Sequence, residues 1–266
     1  MVKNKTTGLQ KFYMFLVYAF LYAPIVVLMV FSFNESKTRG NWTGFSLNWY
    51  QELFRDRDIL AALRNTLIIA LVATIIATIL GTLAAVGFTE FKKNRRKALL
   101  AINEIPVLNP DIVIAVGLMV LFTATKLPLG MLTVIISHVV FMTPYVILSI
   151  LPKLKMMDRN LSEAAMDLGA TPIQTLFLVI IPEIKQGIIA GAMMAFTLSI
   201  DDFVITFFTK GQGLNTISTL VYAMARRGIN PAINALSTLM FVVTLGLLVL
   251  VYIKTDNGVK KYEKKN

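Results

Sequence analysis

Cysteine is absent from these 266 residues, and histidine occurs once, at His138. The first absence excludes disulfides, thiolate nucleophiles and cysteine-bound metals, while leaving the redox compartment open. The second excludes the two-histidine metal helix H-E-x-x-H, and no G-x-S-x-G nucleophile turn is present. There is no G-x-x-x-x-G-K-[ST] phosphate loop either. Gly211-Gln212-Gly213 is too short for one and is followed by no Lys-Ser or Lys-Thr pair. An enzyme has no constellation to stand on, and the chain cannot hydrolyse ATP by itself. Charge is also scarce, with 15% charged residues against 56% hydrophobic ones, which lies outside the range of soluble domains and points to a bilayer. No internal repeat or low-complexity linker is evident, so a single membrane domain over residues 1–266 is expected.

Six apolar runs are long enough for the about 20 helical residues that a hydrocarbon core requires. They are Phe12 to Phe33, Leu63 to Phe88, Ala98 to Thr125, Leu129 to Leu151, Gly187 to Phe208 and Ala232 to Ile253. The first is too long for a signal peptide and is followed by no small-residue cleavage pattern, so it is expected to stay. Basic residues alternate between the runs, and Lys and Arg are retained on the cytoplasmic side. Lys3, Lys5 and Lys11 precede the first run, Lys92, Lys93, Arg95, Arg96 and Lys97 follow the second, and Lys254, Lys260, Lys261, Lys264 and Lys265 follow the sixth. After the first run, Lys37, Arg39, Arg55 and Arg57 are balanced by Glu35, Glu52, Asp56 and Asp58. Both termini are therefore expected in the cytoplasm. The segment with Lys210, Arg226 and Arg227 is then external, a small exception to the bias. The net charge of +11 suits anionic lipid headgroups and requires no nucleic-acid partner.

A polar segment, Asn160 to Pro182, interrupts the apolar pattern on the cytoplasmic side. Asn160 with Glu163 three residues on reads as a capping box that opens a short helix from about Leu161 to Leu168. Gly169 supplies a left-handed stop. Thr171 then caps a second helix with Pro172 in its first turn, and Pro182 is expected to close that helix by removing a backbone donor.

Glu163-Ala164-Ala165, Gly169 four residues on, and Val179-Ile180-Ile181-Pro182 together resemble the EAA signature of type I ABC importer permeases. Val179 and Ile181 depart from the family's usual Ile and Leu but stay apolar. The resemblance covers nearly the whole chain. It implies an all-α integral membrane protein of six transmembrane helices with a cytoplasmic coupling hairpin at about 160–182, a core at about 60–255, and an additional N-terminal helix at about 12–33 that wraps a partner subunit. It implies no enzyme activity and no cofactor on this chain, ATP and Mg being bound by a partner ATPase. By the same analogy the hairpin lies in a cleft of that ATPase, with Glu163 as the charged contact and Gly169 holding the angle between its helices.

Carboxylates inside apolar runs are costly and usually mark a pathway. Asp201 and Asp202 lie roughly 20 Å into the fifth run, about 100° apart around a helix, so one is expected to line a path and the other to hold structure. Asn109-Pro110-Asp111 reads as a fresh helix start, with Asn109 as cap and Asp111 offsetting the positive helix end; a break there would resemble the discontinuous helices of transporters. Acidic groups on a wet path favour cations, and Phe203, Phe207 and Phe208 could wall an alkyl-stemmed one. His138, within the fourth run, reads as a satisfied interhelical hydrogen-bonding group.

Within the family, NPDIVIAVGLMVLF, EAAMDLGAT and FTLSIDDFVITFF resemble the PotC-type branch of spermidine/putrescine permeases, as does an external amphipathic helix from Asn215 to Arg227 ended by Gly228 and Ile229-Asn230-Pro231. This implies a bacterial cytoplasmic-membrane location, a PotB-type companion permease, a dimeric PotA-type ATPase and a PotD-type extracytoplasmic polyamine-binding protein. The alternatives are another cargo, such as a different organic cation or a ferric ion, or a different class altogether, a passive channel or intramembrane enzyme. Asp201 and Asp202 argue against an anionic cargo, and a passive channel has no use for the hairpin.

Overall fold

A computed structural model describes residues 8–36, 41–158, 160–227 and 232–263. Lys3, Lys5, Lys37, Arg39, Lys264, Lys265 and Gly228 to Pro231 lie outside them. The described residues are helical almost throughout, with one isolated antiparallel bridge between Asn34 and Phe45. Helices dominate for a physical reason: in hydrocarbon every backbone N–H and C=O must be satisfied within its own segment.

The chain divides into two compact units, residues 1–60 with 221–266, and residues 61–220. In the first unit, α1 (Gly8–Phe31) is an apolar helix with no buried residue, and it packs on α12 (Ala232–Glu263). The short helix α2 (Asn48–Arg55) also packs on α12 and buries Trp49 and Leu53. Asn34 organises the turn after α1. Its Nδ2 donates to Asn41 O at 2.9 Å, its Oδ1 accepts from Thr43 N at 2.9 Å, and its carbonyl accepts from Trp49 Nε1 at 2.6 Å.

The second unit holds most of α3 (Arg57–Glu90), then α4 (Lys93–Leu108), α5 (Asp111–Ala124), α6 (Met131–Met156), α7 (Asn160–Asp167), α8 (Pro172–Thr175), α9 (Ile181–Asp201), α10 (Val204–Thr209) and the start of α11 (Ile217–Arg227). At 34 residues, α3 is about 50 Å long, well beyond the about 30 Å of hydrocarbon. The core centres on α6, whose Met142, Val146 and Ile150 are fully buried. Helix α9 lies directly on it. An added Cβ at Gly191 would stand 3.2 Å from Val146 Cα, and one at Gly187 would stand 3.2 Å from Ile150 Cα. Two glycines one turn apart thus let the backbones meet, the small-xxx-small device of membrane helices.

Six spans are expected from the sequence, the third with a candidate break. Four helices, α1, α3, α6 and the stretch Pro172–Asp201, are each long and apolar enough to cross a membrane, and α4 with α5 makes a fifth if counted as one bent span. The bend there is 101°. The sixth expected run lies in α12, Ala232–Glu263. Pro182, by contrast, does not close a helix. A π-helical turn at Leu176–Ile180 precedes it, Ile181 N–H bonds back to Leu176 O, and Pro182 falls in the first turn of α9. Proline is tolerated in that position because its missing donor is not needed there.

Candidate functional site

Helices α7 and α8 form the predicted polar hairpin, and local hydrogen bonds set its shape. Gly169 has φ +91°. Its N–H bonds to Met166 O at 2.9 Å and the next N–H, of Ala170, bonds to Ala165 O at 3.0 Å, the paired closure of a Schellman motif. Thr171 and Gln174 then cap α8 reciprocally: Thr171 N donates to Gln174 Oε1 at 2.8 Å and Gln174 N donates to Thr171 Oγ1 at 3.3 Å. The entry to α7 differs from the sequence reading. Asn160 sits inside the helix, and its N–H is accepted by Asp158 Oδ1 at 3.0 Å. An Asx-type bond two residues upstream replaced the anticipated capping box, since Asp158 competes for the same orphan donors.

Glu163 and Ala164 are exposed, and Ala165 is half-buried. The turn between the short helices presents two apolar side chains that the sequence reading missed, Leu168 at 91% exposure and Ile173 at 70%. The available signal was an apolar residue on each side of a turn whose glycine and threonine are both committed to backbone geometry.

The fifth apolar run breaks at its two carboxylates. Helix α9 ends at Asp201, Asp202 is extended, and α10 begins at Val204. The Asp202 carboxylate accepts from Ile205 N at 3.2 Å, from Thr206 N at 2.8 Å and from Thr206 Oγ1 at 2.7 Å, satisfying the open N-terminus of α10. His138 Nε2 lies 3.3 Å from Asp202 Oδ2 and 2.9 Å from Thr206 Oγ1, and its Nδ1 lies 2.8 Å from Ser199 Oγ. Because Thr206 already donates its proton to Asp202, it can accept from Nε2–H, and Ser199 can then donate to Nδ1; the network is complete with a neutral imidazole. Ser218 Oγ donates to Asp202 O at 2.6 Å, tying in the start of α11. Asp202 is thus buried and saturated, its side chain 7% exposed.

Asp201 is exposed and forms no hydrogen bond or ion pair among the described residues. Phe203 and Phe207 meet at a tilt of 37° beside the break, ring centroids 5.3 Å apart, and Phe207 meets Phe208 edge-on at 5.5 Å. Phe208 leans on the core, whereas Phe207 is 42% exposed. Just beyond α10, burial holds the Lys210 ammonium below the usual lysine range; it donates to Leu214 O at 2.8 Å and Asn215 Oδ1 at 2.9 Å.

Residues 77–257 match the family described as the binding-protein-dependent transport system inner membrane component. The chain belongs to the inner-membrane permeases of ABC importers. Its relatives include the putrescine transport permease PotI of Escherichia coli K12, 42% identical over 230 residues that cover 84% of this chain and 82% of the relative. The spermidine/putrescine permease PotC of Haemophilus influenzae is 35% identical over 242 residues, covering 91% and 94%. The fold is shared with a bacterial ABC transporter that imports alginate, at 18% identity and TM-score 0.71 over 91% of this chain and 92% of that one. It is shared too with the methionine transporter MetNI in inward-facing conformations, at 18% identity and TM-score 0.60 over 77% and 98%. As a permease subunit of such an importer, the chain is a multi-pass inner-membrane protein and not an enzyme.

In this permease the third apolar run breaks where the sequence reading placed the break, but its caps differ. Asn109 closes α4, its Nδ2 bonding Ile105 O at 2.9 Å, and Pro110 is the residue flanking the start of α5. Proline forces that assignment, because it keeps the residue before it out of the helical region. Asp111 is exposed in the first turn of α5.

Proposed function

We propose that this permease conducts polyamines of the spermidine/putrescine class, with Asp201 as the carboxylate that meets the cargo. The observation that carries this reading is the division of labour at the break after α9: Asp202 is spent on the start of α10, while Asp201 is exposed and uncompensated beside Phe203 and Phe207. An alkyl chain bearing ammonium groups needs both kinds of partner, an anion for each charge and aromatic or apolar faces for the stem. Asp111 belongs to the same path in this reading, offsetting the positive end of α5. The names of the PotI and PotC relatives support the cargo class.

Residues 1–266 act as one permease domain with both termini in the cytoplasm. It pairs with a PotB-type permease, receives cargo from a PotD-type binding protein, and is driven by a dimeric PotA-type ATPase that binds ATP and Mg. The hairpin is the docking piece, with Glu163 as its charged contact, Ala164 and Ala165 on the same short helix, Gly169 holding the angle, Leu168 and Ile173 seated in the ATPase, and Pro182 at the entry to the moving span. Nucleotide-driven closure then shifts α9 as a two-state element. Stimulation of the reconstituted complex's ATPase by binding proteins loaded with different solutes tests this. Spermidine- or putrescine-loaded protein should stimulate it; stimulation only by a ferric- or anion-loaded protein would refute the cargo.

A further inference from the structure

A second charged site lies beside the hairpin. A cavity of about 1090 Å³ opens between the end of α3, the start of α4, the end of α6 and the hairpin. Lys92, Lys93, Arg96 and Lys155 line it, together with Glu90 and Glu163, a surplus of two positive charges. Among the described residues none of these four cations forms an ion pair. The placement is unfavourable as it stands. Lys92, Lys93, Arg95, Arg96 and Lys97 crowd the N-terminus of α4, which has no side-chain cap and no acidic residue in its first turn. The helix dipole is positive at that end, so these cations repel both it and each other. Thr175, also in the lining, is 3% exposed and its Oγ1 has no hydrogen-bond partner, a rare condition for a buried hydroxyl.

An anion in the cavity would answer all three features at once, by offsetting the surplus charge, occupying the open N–H groups of α4 and pairing with Thr175. The rest of the lining says what kind of anion. Val86, Phe91, Leu154, Leu176 and Ile180 make an apolar wall, which a free phosphate cannot use and a lipid's glycerol and upper acyl segments can. We propose that this cavity binds an anionic phospholipid carrying two phosphodiesters, of the cardiolipin class, whose charge of about −2 matches the surplus. The proposal relies on the permease reading for assigning the lipid to the cytoplasmic leaflet, and it shares Glu163 with the hairpin's ATPase contact.

The whole importer complex, purified and placed in phosphatidylcholine nanodiscs with cardiolipin titrated in, tests this by native mass spectrometry of retained lipid. The variant K93Q/R96Q/K155Q should retain cardiolipin roughly 100-fold more weakly, from about tenfold or less per cation. Thr175→Val, which removes only the hydroxyl, should weaken retention several-fold and leave assembly intact. Equal retention by wild type and both variants would overturn the proposal. Displacement of cardiolipin by inorganic phosphate or glycerol phosphate at equal concentration would make it a free-anion site instead. Loss of the ATPase subunit from the triple variant in lipid-free detergent would give the cavity to an acidic segment of that partner, and would equally overturn it. Bound lipid is the readout, so failure of the polyamine reading in uptake assays would leave this result standing, and the converse holds.

Discussion

Replacing Asp202 and replacing its neighbour Asp201 should give opposite phenotypes, although the two side chains are adjacent and chemically identical. The Asp202 carboxylate has four polar contacts: Ile205 N, Thr206 N, Thr206 Oγ1 and His138 Nε2. A side-chain hydrogen bond in a membrane helix bundle is worth about 0.6 kcal/mol on average, and in soluble proteins one to a charged group is worth about 1.5 kcal/mol or more. Asp202→Ala, which removes all four, should therefore cost about 2.5 to 6 kcal/mol. Asp202→Asn can keep its oxygen toward Thr206 but turns an amide donor toward Ile205 N–H, for about 1 to 3 kcal/mol. Asp201→Asn changes an exposed side chain without partners and should stay within about 0.5 kcal/mol. At roughly 2 to 4 °C per kcal/mol, Asp202→Ala should lower the melting temperature of the purified complex by at least about 5 °C. Asp201→Asn should melt like wild type yet lose most polyamine uptake while still assembling with the ATPase. The reasoning is refuted if Asp202→Ala melts like wild type, or if Asp201→Asn destabilises the complex as strongly.

Three further substitutions probe the scaffold. Gly191→Leu forces a side chain against the Val146 backbone, where even a Cβ stands at 3.2 Å; it should destabilise by about 1 to 3 kcal/mol or more, seen as lowered yield and melting temperature of the complex, whereas Val113→Leu on the exposed side of α5 should not. Gly169→Ala meets no atom within 4 Å, so its cost of about 1 to 2 kcal/mol comes from the left-handed backbone alone; ATP hydrolysis should persist while uptake per ATP falls, and unchanged coupling would remove the hairpin's angle from the mechanism. His138→Leu strands Ser199, Thr206 and Asp202 and should lower stability by about 2 to 4 kcal/mol, with His138→Gln restoring part of the loss; equal melting of the Leu variant and wild type would show that the network carries no weight.

Much of this molecule is local and therefore legible in one dimension. Hydrophobic runs declare membrane helices because the hydrocarbon core admits little else. Gly169 and Thr171 declare the hairpin turn because a positive φ and a capping hydroxyl are properties of single residues. Asn109-Pro110 declares a break for the same reason. Errors arose where neighbours compete, as Asp158 with Asn160 for one N–H, or where a helix changed register to keep its proline, as before Pro182.

The partition of labour between Asp201 and Asp202 was beyond the sequence, which could say only that adjacent residues face different ways. What separates them is the break that sets Asp202 at the start of α10, where Ile205 and Thr206 bond its carboxylate, with His138, 64 positions upstream, closing the network from α6. The unpaired cations beside Thr175 were likewise visible only as a basic run, until the hairpin folded back to make the other wall of their cavity. Spans, turns and the importer signature follow from residue chemistry at short range. Which carboxylate is saturated and which stays exposed depends on where the helix breaks and on a contact between helices far apart in the chain, and only the tertiary structure supplies those.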